Sequence, residues 1–255
     1  MINTTDIQSA KSAGWITEDE FEHPTNTICG RELCSILFQY LPEDIKYYVD
    51  EGREVWIVKQ LGLIEPSIQS KESITRMEFA ESLYALLTLD VCSVSLCEAN
   101  ILPIYYTEME SRAYVQSWLD DIPYQIRQRF LTDGWELYIG DGFLKDGFYE
   151  IYGEASGLTR EQDKIMVATR DGQYSSILHE FGHFLHITNG YDPEFDAIYQ
   201  RESGASGFSK HHRSSWREYY AQSFSYYVSG MKANFTACPE TYVYFDNLRK
   251  SGWIT

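Results

Sequence analysis

The segment His179-Glu180-Phe181-Gly182-His183 constrains this chain more than any other. Residues four apart on an α-helix project from one face, one turn apart. Both imidazoles therefore reach a single ion only if the segment is helical. Glu180 is turned about 100° from His179, which leaves its carboxylate beside such an ion rather than on it. There it can hold and deprotonate an attacking water. Apolar Phe181, Phe184 and Leu185 call for a buried helix. Gly182 weakens an isolated helix and makes sense where another backbone passes close by. Five of the six histidines lie between His179 and His212, with His23 the exception, so the clustering itself marks a site.

A catalytic zinc takes three protein ligands and keeps one position open. The third ligand is expected from a second helix, because one helix does not comfortably wrap three donors around a tetrahedral ion. His186 shares the face of His183 and is expected to pack in the core or orient a neighbour. No Gly-x-x-His follows His183, so the metzincin continuation is absent. The better candidate is Glu218. Residues 215–228 read as a helix with an apolar face of Tyr220, Phe224 and Tyr227, and Glu218 sits in its first turn. A glutamate in an aromatic setting needs a partner, and a cation supplies one.

Across the 255 residues the net charge is −17, which argues against a nucleic-acid partner. Through long-range steering it favours a basic substrate, and it keeps the chain soluble. The five cysteines, Cys29, Cys34, Cys92, Cys97 and Cys238, are odd in number and lack paired zinc spacing, so reduced thiols are expected. No apolar run is long enough for a membrane span. The start, Met-Ile-Asn-Thr-Thr-Asp, lacks the features of a signal peptide, which leaves localisation open.

The first ninety or so residues hold a faint repeat. Ala10-Lys11-Ser12-Ala13-Gly14-Trp15-Ile16 matches Val58-Lys59-Gln60-Leu61-Gly62-Leu63-Ile64, and Ile28-Cys29-Gly30-Arg31-Glu32-Leu33 matches Ile74-Thr75-Arg76-Met77-Glu78-Phe79. Thr75 and Glu78 have capping-box spacing, after which Phe79, Leu83, Leu86 and Leu87 fall on one helical face. Cys29 replaces the Thr in the first copy, so its cap should be weaker. Residues 91–100 read as an irregular joint between a helical domain (1–95) and a second domain (101–255). In the second domain, residues 122–131 read as a helix with Pro123 at its start, and residues 135–139 as a strand. Residues 140–157 read as loop, residues 164–169 as another strand, and residues 174–188 as the histidine helix.

Two resemblances emerge from these motifs. His-Glu-Phe-Gly-His, followed at residues 218–224 by Glu-Tyr-Tyr-Ala-Gln-Ser-Phe, resembles the anthrax lethal factor-like zinc peptidases, which include bacterial Pro-Pro endopeptidases. The tail Ala237-Cys238-Pro239-Glu240-Thr241-Tyr242-Val243-Tyr244-Phe245 is also similar, so the likeness covers about residues 101–255. It implies an α+β, zincin-type domain with a small mixed sheet and an active-site helix. It further implies one Zn2+ on His179, His183 and Glu218, with Glu180 as general base and a peptide substrate. That family has a tyrosine seven residues before the ligand glutamate, as oxyanion donor. Here the position is His211, with His212 next to it as a rival and Tyr219 or another tyrosine as a further alternative. The resemblance also makes residues 164–169 an edge strand to which substrate adds. The N-terminal copies resemble S-layer homology repeats, which implies a cell-wall polysaccharide contact at Thr75 and Arg76 and points to an extracellular or cell-surface location. The competing expectations are a catalytically silent zinc-binding protein that uses its repeats for contact, or a regulatory protein with a closed, four-ligand structural zinc.

Overall fold

In a computed structural model of the chain, the described residues are 27–47, 49, 52–106, 112–140, 157–168 and 176–255. The first-copy segment 10–16, His23, Thr169 and Tyr174 lie outside them. The fold is α+β, with eleven helices and a mixed four-stranded sheet among the described residues. The helices are α1 (Gly30–Gln39), α2 (Glu43–Lys46), α3 (Glu54–Gln60), α4 (Arg76–Leu87), α5 (Ser93–Ala99), α6 (Arg112–Leu119), α7 (Tyr124–Thr132), α8 (Ser176–Asn189), α9 (Pro193–Glu202), α10 (Trp216–Val228) and α11 (Pro239–Lys250). The strands are β1 (Ile104–Tyr106), β2 (Glu136–Ile139), β3 (Gly157–Arg160) and β4 (Ile165–Ala168).

The sheet order is β1-β2-β4-β3. β1, β2 and β4 run parallel, with Ile104 opposite Leu137 and Leu137 opposite Met166. β3 returns antiparallel on the outside of β4, with Leu158 opposite Val167. This corrects the expectation that residues 164–169 form the edge. Ile165-Met166-Val167-Ala168 is almost wholly buried, as an interior strand covered on both faces must be. Lys164 belongs to the β3–β4 turn, at φ +54°. The edge is β3, in a stretch whose first residue, Gly157, reads as loop.

The N-terminal helices enclose a core of Leu33, Cys34, Leu37, Ile57, Val58, Leu61, Ile64 and Leu96, joined by Tyr124 of α7. The Thr75–Glu78 cap follows the sequence. Thr75 Oγ1 accepts the Glu78 amide at 3.2 Å, and Glu78 Oε2 accepts the Thr75 amide at 2.9 Å. At the start of α1 the Glu32 carboxylate likewise reaches back to the Cys29 amide, at 2.7 Å, in a capping-box arrangement. α4 buries only part of the face shared by Phe79, Leu83, Leu86 and Leu87. Phe79, Ala85 and Leu86 pack on the core and Ser82 is buried, while Leu87 is 76% exposed. The 91–100 segment is not irregular either, because α5 buries Leu96 and Ala99 in the N-terminal core. So short a helix shows too few turns for periodicity to register.

The second core lies between the sheet and the helices that follow it. Leu137, Ile139, Met166 and Ala168 meet Phe130 of α7 and Phe181, Phe184 and Leu185 of α8. Pro123 caps α7 in extended geometry, and Gly134, at φ +74°, ends it as the sequence suggests. α8 crosses α10 at very close range. A Cβ built on Gly182 would lie 2.6 Å from Ala221 Cα and 2.7 Å from its carbonyl oxygen. Gly182 is thus the residue that lets the histidine helix touch the glutamate helix.

Gly182→Ala should therefore destabilise the protein by about 2 kcal/mol, because overpacking outweighs the gain in helix propensity. Thermal unfolding should show a Tm about 5 °C lower. Adding Ala221→Gly should not restore it, since the clash is with backbone.

Candidate metal centre

α8 carries His179, Glu180 and His183 on the side that faces α10 and β3. The two Nε2 atoms lie 3.1 Å apart. Glu218, in the first turn of α10, meets them: its Oε2 is 3.2 Å from His179 Nε2, and its Oε1 is 3.6 Å from His183 Nε2. Ser215 caps α10 by accepting the Glu218 amide at 3.2 Å, which sets where the helix begins and so where Glu218 projects. One donor atom from each of the three residues falls within 4.8 Å of the others. Ligands on a tetrahedral zinc stand about 3.3 Å apart for bonds near 2 Å, and these spacings match that.

The hydrogen bonds around the triad suit a cation. His179 Nδ1 faces the Gln222 side-chain oxygen at 3.2 Å, so Nδ1 carries the proton and Nε2 presents a lone pair. Glu218 Oε2 is buried and makes no hydrogen bond, although His179 and His211 lie near it. Burial would raise the Glu218 carboxyl, but His179 and His183 outweigh it and hold the group well below the usual carboxylate range. Acceptor oxygen and lone pairs converge on a space that a divalent ion would satisfy.

Around this triad, each neighbour has a definable part. His186 is buried against Trp216 and Tyr220, and its Nε2 lies 3.1 Å from His183 Nδ1. Burial, and then the His183 charge, push it down to about 3, so it stays neutral and accepts the His183 N–H. It orients its neighbour and is not a third ligand. Glu180 is 4% exposed and points under the edge strand. Thr159 Oγ1 donates to Glu180 Oε2 at 2.6 Å, and a Cβ on Gly157 would collide with the Glu180 carboxyl group.

The structure brings His179, Glu180, His183, His211 and Glu218 to one cleft of about 970 Å³, which β3 and α10 flank. His211 is 71% exposed, with Nε2 3.2 Å from Glu218 Oε2. The His212 ring packs 5.4 Å from the His179 ring, and burial lowers its pKa to about 4. Tyr219 is excluded as an oxyanion donor, being fully buried with its hydroxyl 3.0 Å from Thr241 Oγ1. Three residues of the site had no role assigned from the sequence: Gln222, Thr159 and Gly157. Gln222 had a signal, as a polar residue one turn after Glu218 on a helix otherwise aromatic there. Thr159 and Gly157 had none, because their strand is too short to read.

Burial raises the Glu180 carboxyl from 4.5 to about 7, against smaller lowering effects of His179 and the Thr159 hydroxyl. A carboxyl raised in the fold binds its proton more tightly there than in the unfolded chain. Stability from this group is therefore full below pH ~4.5 and is lost as pH rises towards ~7. In metal-free protein, chemical denaturation of wild type against Glu180→Gln should show this difference, on the order of 3 kcal/mol across that window. A pH-independent difference would contradict the burial.

Compared with protein-family profiles and with curated proteins, the chain matches none.

Proposed function

We propose that this chain is a zinc-dependent endopeptidase with a zincin-type catalytic domain, similar to the lethal factor-like peptidases. The observation that carries the reading is the convergence of His179, His183 and Glu218 with the Glu180 carboxylate at their side. When bound, a zinc ion would polarise the scissile carbonyl and acidify a water.

The remaining chemistry belongs to the chain. Glu180 would take a proton from the attacking water and return it to the leaving nitrogen. Thr159 holds that carboxylate from the opposite side. Among the described residues β3 pairs only with β4, and its other edge would take an extended peptide as a further strand. His211 stands at the mouth of the cleft, where an imidazole N–H can stabilise an oxyanion. Gln222 fixes the His179 ring.

The N-terminal helices, with their similarity to S-layer homology repeats, would form a separate binding domain. Thr75 and Arg76 are both exposed at the start of α4, as a polysaccharide contact there requires. Among the described residues, no helix is long and apolar enough to cross a membrane. The silent-binder reading draws its support from His211, which replaces the tyrosine of the resembling family.

Metal analysis with a peptide-library digest tests the proposal. Wild type should carry near-stoichiometric zinc and cleave peptides, while Glu180→Gln keeps zinc and loses cleavage by several orders of magnitude. Zinc retained without any cleavage would favour the silent binder, and the absence of zinc would overturn both readings. Gln222→Ala should lower zinc affinity about tenfold to a hundredfold in chelator competition.

A further inference from the structure

In so acidic a chain, most described lysines and arginines outside the cleft are neutralised by carboxylates. Lys46, Arg53, Lys59, Lys71, Arg129 and Arg249 are examples. Among those that are not neutralised, three cluster around the start of α10. Lys210 and Arg217 are exposed, Arg213 is half-buried, and none of the three pairs with an acidic group of the described residues. Arg213 donates only a long 3.5 Å bond to the Gly204 carbonyl, and its buried Nε has no partner. Arg217 lies over the Trp216 ring, 5.6 Å from its centroid, on the wall of the cleft.

Lys210 and Arg213 line a groove of about 630 Å³ with Ser203, Gly204 and Ser214. His211 belongs to both this groove and the catalytic cleft, so the two spaces adjoin across one side chain. Two cationic side chains and two serines surround the groove, and no carboxylate lines it. Such a lining suits an anionic group that can accept several hydrogen bonds.

We propose that this groove is an anion-binding subsite of the peptidase, holding a carboxylate of the substrate beside the scissile bond. The proposal rests on the peptidase reading. A net charge of −17 repels acidic peptides at long range. Preference for a carboxylate therefore has to come from short-range contacts, which this groove supplies. The carboxylate can belong to an Asp or Glu side chain or to a peptide C-terminus.

The test uses the full chain in its zinc-loaded form and short matched peptides carrying Glu or Gln at each position in turn. Each peptide is made with a free or an amidated C-terminus. Two readouts run side by side: cleavage by wild type, and calorimetric binding to Glu180→Gln protein. Glu peptides should exceed their Gln partners about fivefold in kcat/KM, through KM, and in affinity. Lys210→Glu, at an exposed position, should abolish or invert that ratio, and high salt should shrink it. Discrimination between free and amidated ends, with none between Glu and Gln, assigns the groove to a C-terminal carboxylate. Equal handling of all pairs by wild type overturns the inference, as does a preference that survives Lys210→Glu. Either result leaves the peptidase reading standing if cleavage occurs. Absent cleavage with intact anion selectivity in the binding arm overturns the peptidase reading instead.

Discussion

The approach of α8 to α10 at Gly182 is the constraint on which the site depends. Two helices that meet through ordinary side chains keep their axes about 8–10 Å apart. Here one helix presents a glycine to the other's backbone at Ala221. The short separation lets Glu218, a side chain of modest reach, stand against two imidazoles on the facing helix. It also places Gln222, one turn further along α10, opposite His179 Nδ1. A ligand, an orienting group and the contact that aligns them thus arise from three neighbouring turns of one helix pair. The aromatic residues around the crossing, Phe181, Phe184, Tyr219, Tyr220 and Phe224, bury it. They leave the polar groups facing each other and the cleft.

The edge strand closes the other side. Gly157 and Thr159 of β3 lie over Glu180, one by having no side chain and the other by donating a hydrogen bond. The strand that would receive a peptide on the proposed reading therefore also holds the Glu180 carboxyl group. Movement of β3 would disturb substrate alignment and the Glu180 proton affinity together. Its anchor is β4, an apolar strand in the interior of the sheet, which gives the arrangement its rigidity.

The parts of this design that were legible in the sequence are those governed by local rules. The Thr75–Glu78 cap, the Pro123 start and Gly134 stop of α7, and the close-contact role of Gly182 each depend on a few adjacent residues and on backbone chemistry. The histidine pair and Glu218 were readable because helical spacing converts sequence into geometry. β3 was not, because four residues that begin with glycine carry no alternation signal, and their strand character comes from pairing with β4. The exposure of Leu87 was not readable for a related reason. Helical spacing shows which residues share a face, but the neighbours decide which face is buried, and α4 turns Ser82 inward instead. Tyr219 sits one position from a ligand yet points away from it, since successive helical residues diverge by about 100°.

The charge distribution connects the two halves of the molecule to the cleft. Arg127 is buried at the boundary of the cores, where its guanidinium donates to Gln60. Lys59 reaches Asp121 at 2.6 Å, Arg53 reaches Asp120 at 2.7 Å, and Arg249 donates to the Gly62 carbonyl at 2.7 Å. Lys232 and Lys250 pair with Glu65 and Glu81 of the N-terminal helices. Positive charge is scarce in this chain, and much of it is consumed in binding the helical region to the rest. Exposed pairs of this kind contribute little singly, and the packing of Tyr124 of α7 into the N-terminal core adds apolar contact across the same boundary. Against that background the lysine and arginines at residues 210–217 make no ion pair with a carboxylate of the described residues. They lie close to Glu218, with Arg217 on the wall of the cleft and Lys210 and Arg213 in the groove beside it, where on the proposed reading positive charge would act on a bound peptide.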